Sequence, residues 1–384
     1  MKTKVRVLQI ANYAGPLYCF MIPLCRALKG IGADVELACM SSGALWKPLN
    51  QLEFKVHKLP TGSWHMPSTW SVLYSKIRLL LKSHKYDLMI VHTPAMSWVA
   101  RPAARGLVPM TIYFSHGLPF TAEQSKLRYF ILRSLEQFMS KYTDAIIVMN
   151  SDDVAACQRF RLNRLGRRWF YVPGVGVDVD YYATGPPECT VTQLERNLEL
   201  RADKPMILFL GRFIKSKRPR DVLDLARRIG NGVDFVLAGE GPLWTPIKMS
   251  AAKIGPHVKV IEFTSEVPAL LARCTLLILP SVFREGLPRV ILEACAAGKP
   301  VVAYNVRGAR DAIRHGETGF LVQPANVSEL CEAVSNLLED DKLRSKMGKA
   351  GQKHIREKFS IHVSLSATMA AIREVLQQNN VCLE

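Results

Sequence analysis

Glu285 and Glu293 stand with seven residues between them in FREGLPRVILEA (283–294), between the apolar run TLLILP and a helix-like apolar pattern. That order, strand then loop then helix, puts Glu285 at the C-terminal edge of a sheet and Glu293 inside the helix. Gly286 lets the backbone come close to a ligand, and Pro288 suits a first helical turn. The amides of Gly286 and Leu287, at that helix start, suit a phosphate, which a carboxylate repels. Glu285 and Glu293 must therefore accept hydrogen bonds from something neutral and hydroxylated. Sugar hydroxyls meet that demand.

A second pair complements them. LGRFIKSKRP (210–219) reads as a strand end followed by Gly211, Arg212 and, five residues later, Lys217. Two cations at the lip of a sheet, with a helix N-terminus behind them, can neutralise a diphosphate. Lys215, Arg218 and Arg220 crowd the same run, so alone it also reads as a solvated basic loop. The glutamate segment tips the reading toward a ligand.

Other phosphate-binding devices are missing. No GxGxxG turn follows the first strand of either half, and Gly174-Val175-Gly176 is only a fragment of one, which disfavours nicotinamide and flavin enzymes. No GxxxxGK[ST] loop occurs. No DxD-like acidic motif stands ready for a metal, since Asp152-Asp153 falls at a helix start, where capping explains it. No cofactor and no metal are expected.

These residues need a scaffold. KVRVLQIANYAGP, LYCFMIPLCRALKGIG and ADVELAC form a βαβ opening, with Gly30 and Gly32 ending the helix. YDLMIVHTP, VPMTIYFSHG and TDAIIVMNS add buried strands that each run into a polar or glycine-bearing loop. A second series comprises KPMILFLGRF, GVDFVLAGEGPL, VKVIEFTSEV, CTLLILPSVF, KPVVAYNV and GFLVQPAN, with helices expected over Pro219–Ile229 and Leu287–Ala297. The fold class is α/β, two doubly wound parallel sheets with a cleft between them, and ligands belong at the strands' carboxyl ends. The first domain is read as 1–182, ending near the Pro/Gly/Thr-rich linker ATGPPECTVTQ, and the second as 183–360. A terminal helix over about 361–384 has no strand to serve and is expected to pack back on the first domain.

Length agrees: 384 residues exceed the roughly 250–300 that one core supports. No apolar run of membrane-spanning length and no leader pattern in the opening residues are read, so a cytoplasmic location is expected. Nine scattered cysteines without a CxxC pair argue for free thiols rather than zinc or disulfides. Charge is uneven: up to Asp180 there are 23 Lys/Arg against 11 Asp/Glu, a net +12 of the total +18. With no aromatic-rich RNA-binding signature or zinc finger, nucleic acid is not an expected partner, and neither is a stable protein partner. A basic first half with mean hydropathy of +0.06 leans toward an anionic membrane surface. Candidate contacts are SKIRLLLKSHK (75–85) and RFRLNRLGRR (159–168).

The stretch from Phe283 to Val322 resembles the E-x7-E region of the family 4 retaining glycosyltransferases, which have the GT-B fold of two facing Rossmann-like domains. GRFIKSKRP resembles that family's donor-phosphate loop, and FVLAGEGPL and PGVGVD extend the pattern, so the likeness covers most of 170–345. VHTP (91–94) and SHG (115–117) are similar to bacterial members that build surface polysaccharides. The resemblance implies that Glu285 meets the hydroxyls of the donor hexose and Glu293 holds the nucleotide ribose. Arg212 and Lys217 would bind the diphosphate, with Gly211, Gly286 and Leu287 at the same donor site. His116 would lie against the sugar near its 6-position, and Gly15 would let the first loop approach the phosphates. Here the sequence departs from the family, with Tyr13-Ala14-Gly15-Pro16 where a Gly-Gly pair is common.

The implied activity is retaining transfer of a hexose or N-acetylhexosamine from a nucleotide-diphosphate sugar, UDP favoured, to a lipid-linked glycan of a capsule, O-antigen or exopolysaccharide. The enzyme would sit peripherally on the inner face of the cell membrane. Two other readings stay open from sequence: a sugar-nucleotide 2-epimerase of similar fold, and a non-catalytic sugar-nucleotide-binding subunit.

Overall fold

The computed structural model describes residues 4–41, 45–62, 66–121, 124–162, 168–262, 264, 266–282 and 285–377. Phe283 and Arg284, residues 163–167 of the second basic run, and 378–384 with Cys382 lie outside the described residues. Contacts divide the chain into two units, Met1–Val175 with Ser364–Glu384, and Gly176–Val363.

The first unit is built on seven parallel strands: β1 (Arg6–Ile10), β2 (Asp34–Met40), β3 (Lys55–Leu59), β4 (Leu88–His92), β5 (Met110–Phe114), β6 (Ala145–Val148) and β7 (Arg168–Tyr171). Their order is β3-β2-β1-β4-β5-β6-β7. β4 and β5 are buried along their whole length, as continuous apolar strands covered on both faces must be. β3 and β7 were not expected. KVHKL is polar and RWFY aromatic, and both are partly exposed because each edge strand pairs on one side only.

Helix Lys126–Met139 is fixed to this unit by a buried ion pair, in which Arg101 Nη2 lies 2.7 Å from Glu136 Oε1 with both side chains fully buried. Arg101 also donates to Thr143 Oγ1 at 3.1 Å and stacks over Tyr113. Helix Ile361–Gln377 buries Met369, Ile372, Val375 and Leu376. Ser364 Oγ donates to the Pro173 carbonyl at 2.7 Å, and Arg168 pairs with Glu374.

The second unit holds six parallel strands: β8 (Met206–Leu210), β9 (Asp234–Ala238), β10 (Val258–Ile261), β11 (Leu276–Leu279), β12 (Val301–Tyr304) and β13 (Gly319–Val322). Their order is β10-β9-β8-β11-β12-β13. The expected helix at Pro219–Ile229 forms with Pro at its first turn, and the second expected helix runs over Arg289–Ala296. Part of the stretch read as a linker is itself helical: Pro187 caps a helix over Glu188–Leu198 that buries Leu194.

In both sheets the strand order reverses at an interior pair, β1/β4 in the first and β8/β11 in the second. Loops leaving such a pair diverge and open a crevice at the strands' carboxyl ends.

Candidate active site

The reversal between β8 and β11 brings one member of each charged pair of the second unit together, Lys217 and Glu285. The loop after β8 runs through a short turn, Lys215–Lys217, and the loop after β11 carries Glu285. Lys217 Nζ donates to Glu285 Oε1, and Ser281 Oγ donates to the same oxygen at 2.6 Å. The side chains are 20% and 13% exposed, so the ion pair is largely withdrawn from water. The two loops are also tied by backbone, with Val282 N donating to Ser216 O at 2.9 Å. Arg307, itself buried, donates Nε to the Glu285 carbonyl at 3.0 Å.

Two glycines let main chain approach main chain here. A Cβ at Gly239, whose φ is +155°, would stand 1.9 Å from the Gly211 carbonyl oxygen, and one at Gly308 (φ +78°) would stand 2.4 Å from that of Gly286. The FVLAGEGPL segment therefore buttresses the Arg212 loop. Gly211 N donates to Ala238 O at 3.1 Å and Phe213 N to Glu240 O at 2.7 Å. Arg212 is exposed and makes no side-chain hydrogen bond or ion pair among the described residues. Leu287 is half-buried and packs on the core, which fixes the turn entering helix Arg289–Ala296.

Glu293 lies within that helix, as expected. Arg289 Nε is 2.8 Å from its Oε1, and the Tyr182 hydroxyl also hydrogen-bonds its carboxyl. Burial raises its pKa above the ordinary carboxylate value, while Arg289 and Tyr182 oppose that rise. Tyr182, Ser281 and Arg307 were not picked out from sequence. Their partners are 111, 4 and 22 residues away, and no local pattern encodes the longer pairings.

In the first unit, Gly15 sits in a helical turn, Ala14–Pro16, just after β1. A Cβ there would touch only Leu45 Cδ1 at 3.9 Å, so packing within this unit does not demand glycine. His116 follows β5 and is partly exposed. Its Nε2 is 3.1 Å from Nδ1 of His92, the last residue of β4. His92 is wholly buried; its Nε2 lies 2.9 Å from Gln9 Oε1, and Gln9 Nε2 donates to Cys25 Sγ at 3.1 Å. Burial holds both imidazoles neutral at physiological pH, lowering His116 to about 4 and His92 well below the ordinary imidazole value, with His116 adding to the effect on His92. Thr93, next in sequence, has a φ of +67°, which for a β-branched residue is a strained backbone at the β4 carboxyl end.

Asp152 and Asp153 open helix Ser151–Arg159. Asp153 N donates to the Asn150 cap at 2.8 Å, and Asp153 Oδ2 accepts from Leu118 N at 3.0 Å, a structural role. One grouping among the described residues has metal-ligand spacing: Glu36, His57 and His84, with ligand atoms within 4.8 Å. Burial works against ionisation of Glu36, yet hydrogen bonds from Tyr86 and His57 hold its carboxyl down to about 2. Arg6 and Lys55 also contact it at 3.2 and 3.4 Å, so the carboxylate is already neutralised and two cations oppose a third. All eight described cysteines are free.

Two family profiles match this chain, Glycosyl transferase 4-like over residues 6–150 and Glycosyl transferases group 1 over 191–354. The chain belongs to glycosyltransferase family 4. EpsD of Bacillus subtilis (strain 168) is 25% identical to this glycosyltransferase over 342 residues, 87% of each chain. The Escherichia coli UDP-Gal:alpha-D-GlcNAc-diphosphoundecaprenol alpha-1,3-galactosyltransferase is 26% identical over 340 residues, 85% of this chain and 86% of that one. Among solved structures, Anabaena HepE in complex with UDP and glucose superposes with a TM-score of 0.81 at 19% identity, covering 96% and 99% of the two chains. The architecture is the GT-B fold.

Proposed function

We propose that this glycosyltransferase moves a hexose or N-acetylhexosamine from a nucleotide-diphosphate sugar, UDP favoured, to a lipid-linked saccharide in surface-polysaccharide synthesis, with retention at the anomeric carbon. The observation that carries the reading is the Lys217–Glu285 pair, held between the loops that leave the switch-point strands β8 and β11. A relative whose name specifies a UDP-sugar donor and a diphosphoundecaprenol acceptor, and the UDP complex of a structural neighbour, support the choice of substrates.

In this scheme the diphosphate draws Lys217 and the unpaired Arg212 to itself, while Glu285 turns to the sugar hydroxyls. The bend at Gly286 and Leu287, just before helix Arg289–Ala296, offers backbone donors, and Glu293 accepts from the ribose. The bond from the anomeric carbon to the phosphate oxygen breaks as the acceptor oxygen forms its bond on the same face, and the acceptor proton passes to the departing phosphate. The cationic side chains stabilise the charge that develops on the leaving group. No metal is invoked. His116 and Gly15 belong to the sugar and phosphate ends of the donor, respectively.

Peripheral docking on an anionic membrane is part of the proposal, with helix Lys126–Met139 as the contact. Leu127, Phe130 and Ile131, spaced to share one helical face, are 71%, 56% and 53% exposed, and Lys126 and Arg128 are exposed beside them. The basic runs favoured from sequence stay beside it as contacts, since Lys76, Leu79, Lys82 and Lys85 of the first are exposed. In 75–85, Arg78 is committed to the carbonyls of Ala103 and Arg105, and half of the 159–168 run lies outside the described residues.

The test is turnover of UDP-, GDP- and dTDP-sugars with a lipid-linked acceptor, in EDTA, with Glu285→Ala as control. Release of one nucleotide that survives EDTA and depends on Glu285, with the product anomer retained, is expected. Inversion, EDTA sensitivity or silence across the panel would overturn the corresponding part.

A further inference from the structure

His92 has no part in the reading above, yet it is fully buried, and both of its ring nitrogens are engaged at the carboxyl end of β4. We propose that His92 is a positioning residue that locks His116 in the neutral tautomer with a bare Nδ1, making His116 a reader of a sugar hydroxyl and a barrier to a carboxylate in its place. The sugar half of this inference rests on the proposed placement of His116 beside the donor sugar.

The tautomers follow from one end of the row. Gln9 directs its Nε2 at Cys25 Sγ, so its carbonyl oxygen faces His92 Nε2. A carbonyl oxygen only accepts, and His92 Nε2 must therefore carry the hydrogen. In a neutral ring Nδ1 is then bare, and the 3.1 Å contact requires His116 Nε2 to donate to it. His116, also neutral, is left with a bare Nδ1. No group among the described residues hydrogen-bonds that nitrogen. Stacking on Phe114, with centroids 5.1 Å apart and planes at 22°, holds the ring orientation.

A lone pair fixed in this way discriminates. A primary hydroxyl donates to it, a methyl group leaves it unsatisfied, and an ionised carboxylate sets lone pair against lone pair. The opposite tautomer would reverse the preference and welcome a uronate. Donors carrying a hydroxyl at the position His116 faces are thus the expected class.

Two measurements test this. In the full-length protein labelled with 15N-histidine, two-bond nitrogen–proton correlations distinguish the tautomers, and His92 and His116 should both show hydrogen on Nε2. In kinetics, kcat/KM for UDP-glucose, its 6-deoxy counterpart and UDP-glucuronate should fall in that order, with the hydroxyl preferred over the methyl by about 10-fold, as loss of one hydrogen bond gives. His92→Leu should collapse that ratio toward 1 and His92→Gln, which can again accept, should restore it. A purely packing role for His92 would lower kcat/KM for all donors alike and leave the ratio intact. Hydrogen on His116 Nδ1, or an unchanged ratio in His92→Leu, would overturn the proposal. If the wild type turned over no donor, the proposed function and hydroxyl recognition would both fall, while the correlation pattern would still decide the tautomer.

Discussion

Gly239→Ala tests whether the Arg212 loop is built by backbone contact. The new Cβ would start 1.9 Å from the Gly211 carbonyl oxygen, against a normal approach above 3 Å, so main chain must give way by more than 1 Å. At a φ of +155° the residue also enters a region where non-glycine backbone costs about 1–3 kcal/mol. Overpacking of this kind adds about 1–3 kcal/mol. The sum, about 4 kcal/mol, is a large part of the roughly 5–15 kcal/mol that keeps a domain folded. With a urea slope of about 2 kcal/mol/M, the midpoint should fall by about 2 M. Because Gly211 adjoins Arg212, displacement should also cost about 100-fold in kcat/KM, as misplacement by about 1 Å does. The assay pairs urea unfolding with donor turnover and uses Gly232→Ala as control, since a Cβ at that exposed site meets nothing within 4 Å. A Gly239→Ala variant with wild-type midpoint and turnover would refute the reasoning, as would equal losses in the control.

Lys217→Met and Glu285→Gln should each lower kcat/KM by about 100- to 1000-fold, the range for losing one preorganised charge contact, and the double variant should lose much less than the product. Strict additivity in that kinetic cycle would mean that the two side chains act separately. For Glu293 the sign follows from its raised carboxyl: its contribution to stability is present below the ordinary carboxylate range and is lost as pH rises through the raised value. Glu293→Gln should therefore flatten the fall in thermal midpoint over that interval, and a parallel pH profile in wild type and variant would contradict it. Replacing Leu127, Phe130 and Ile131 by Ser should weaken binding to anionic liposomes by somewhat over about 100-fold, given about 1 kcal/mol for each of the three partly exposed side chains. Unaltered liposome binding would remove this helix as the contact.

Eleven of the strands announce themselves, because buried parallel strands are continuous apolar runs such as MILFL and LLIL. β3 does not, since an edge strand with half its surface in water keeps residues such as His57 and Lys58 that a strand pattern discounts, and β7 is only four residues, RWFY, at the end of a basic run. Lys217 and Glu285 are readable as charged residues just past strand ends, yet their mutual contact spans 68 residues and depends on β8 lying beside β11. The same limit hides His92. It looks like the apolar end of VHTP, and only the β4–β5 neighbourhood sets it against His116. Gly239 is visible as a glycine after a strand, but the carbonyl it must accommodate belongs to Gly211, just past β8.

The discontinuous first unit imposes an order on biosynthesis. Its sheet is complete once Tyr171 has been made, but helix Ile361–Gln377, which supplies Met369, Ile372, Val375 and Leu376 and bonds back to Pro173, follows the whole of Gly176–Val363. At about 5–20 residues per second, a ribosome takes roughly 10–40 s to cross that interval. Throughout that time the first sheet waits with an apolar seam uncovered, while the second unit is translated and can fold on its own. Helix Ile361–Gln377 thus closes the first unit after the second has been made, and a nascent chain arrested near Val363 would be a client for chaperones that bind apolar surface.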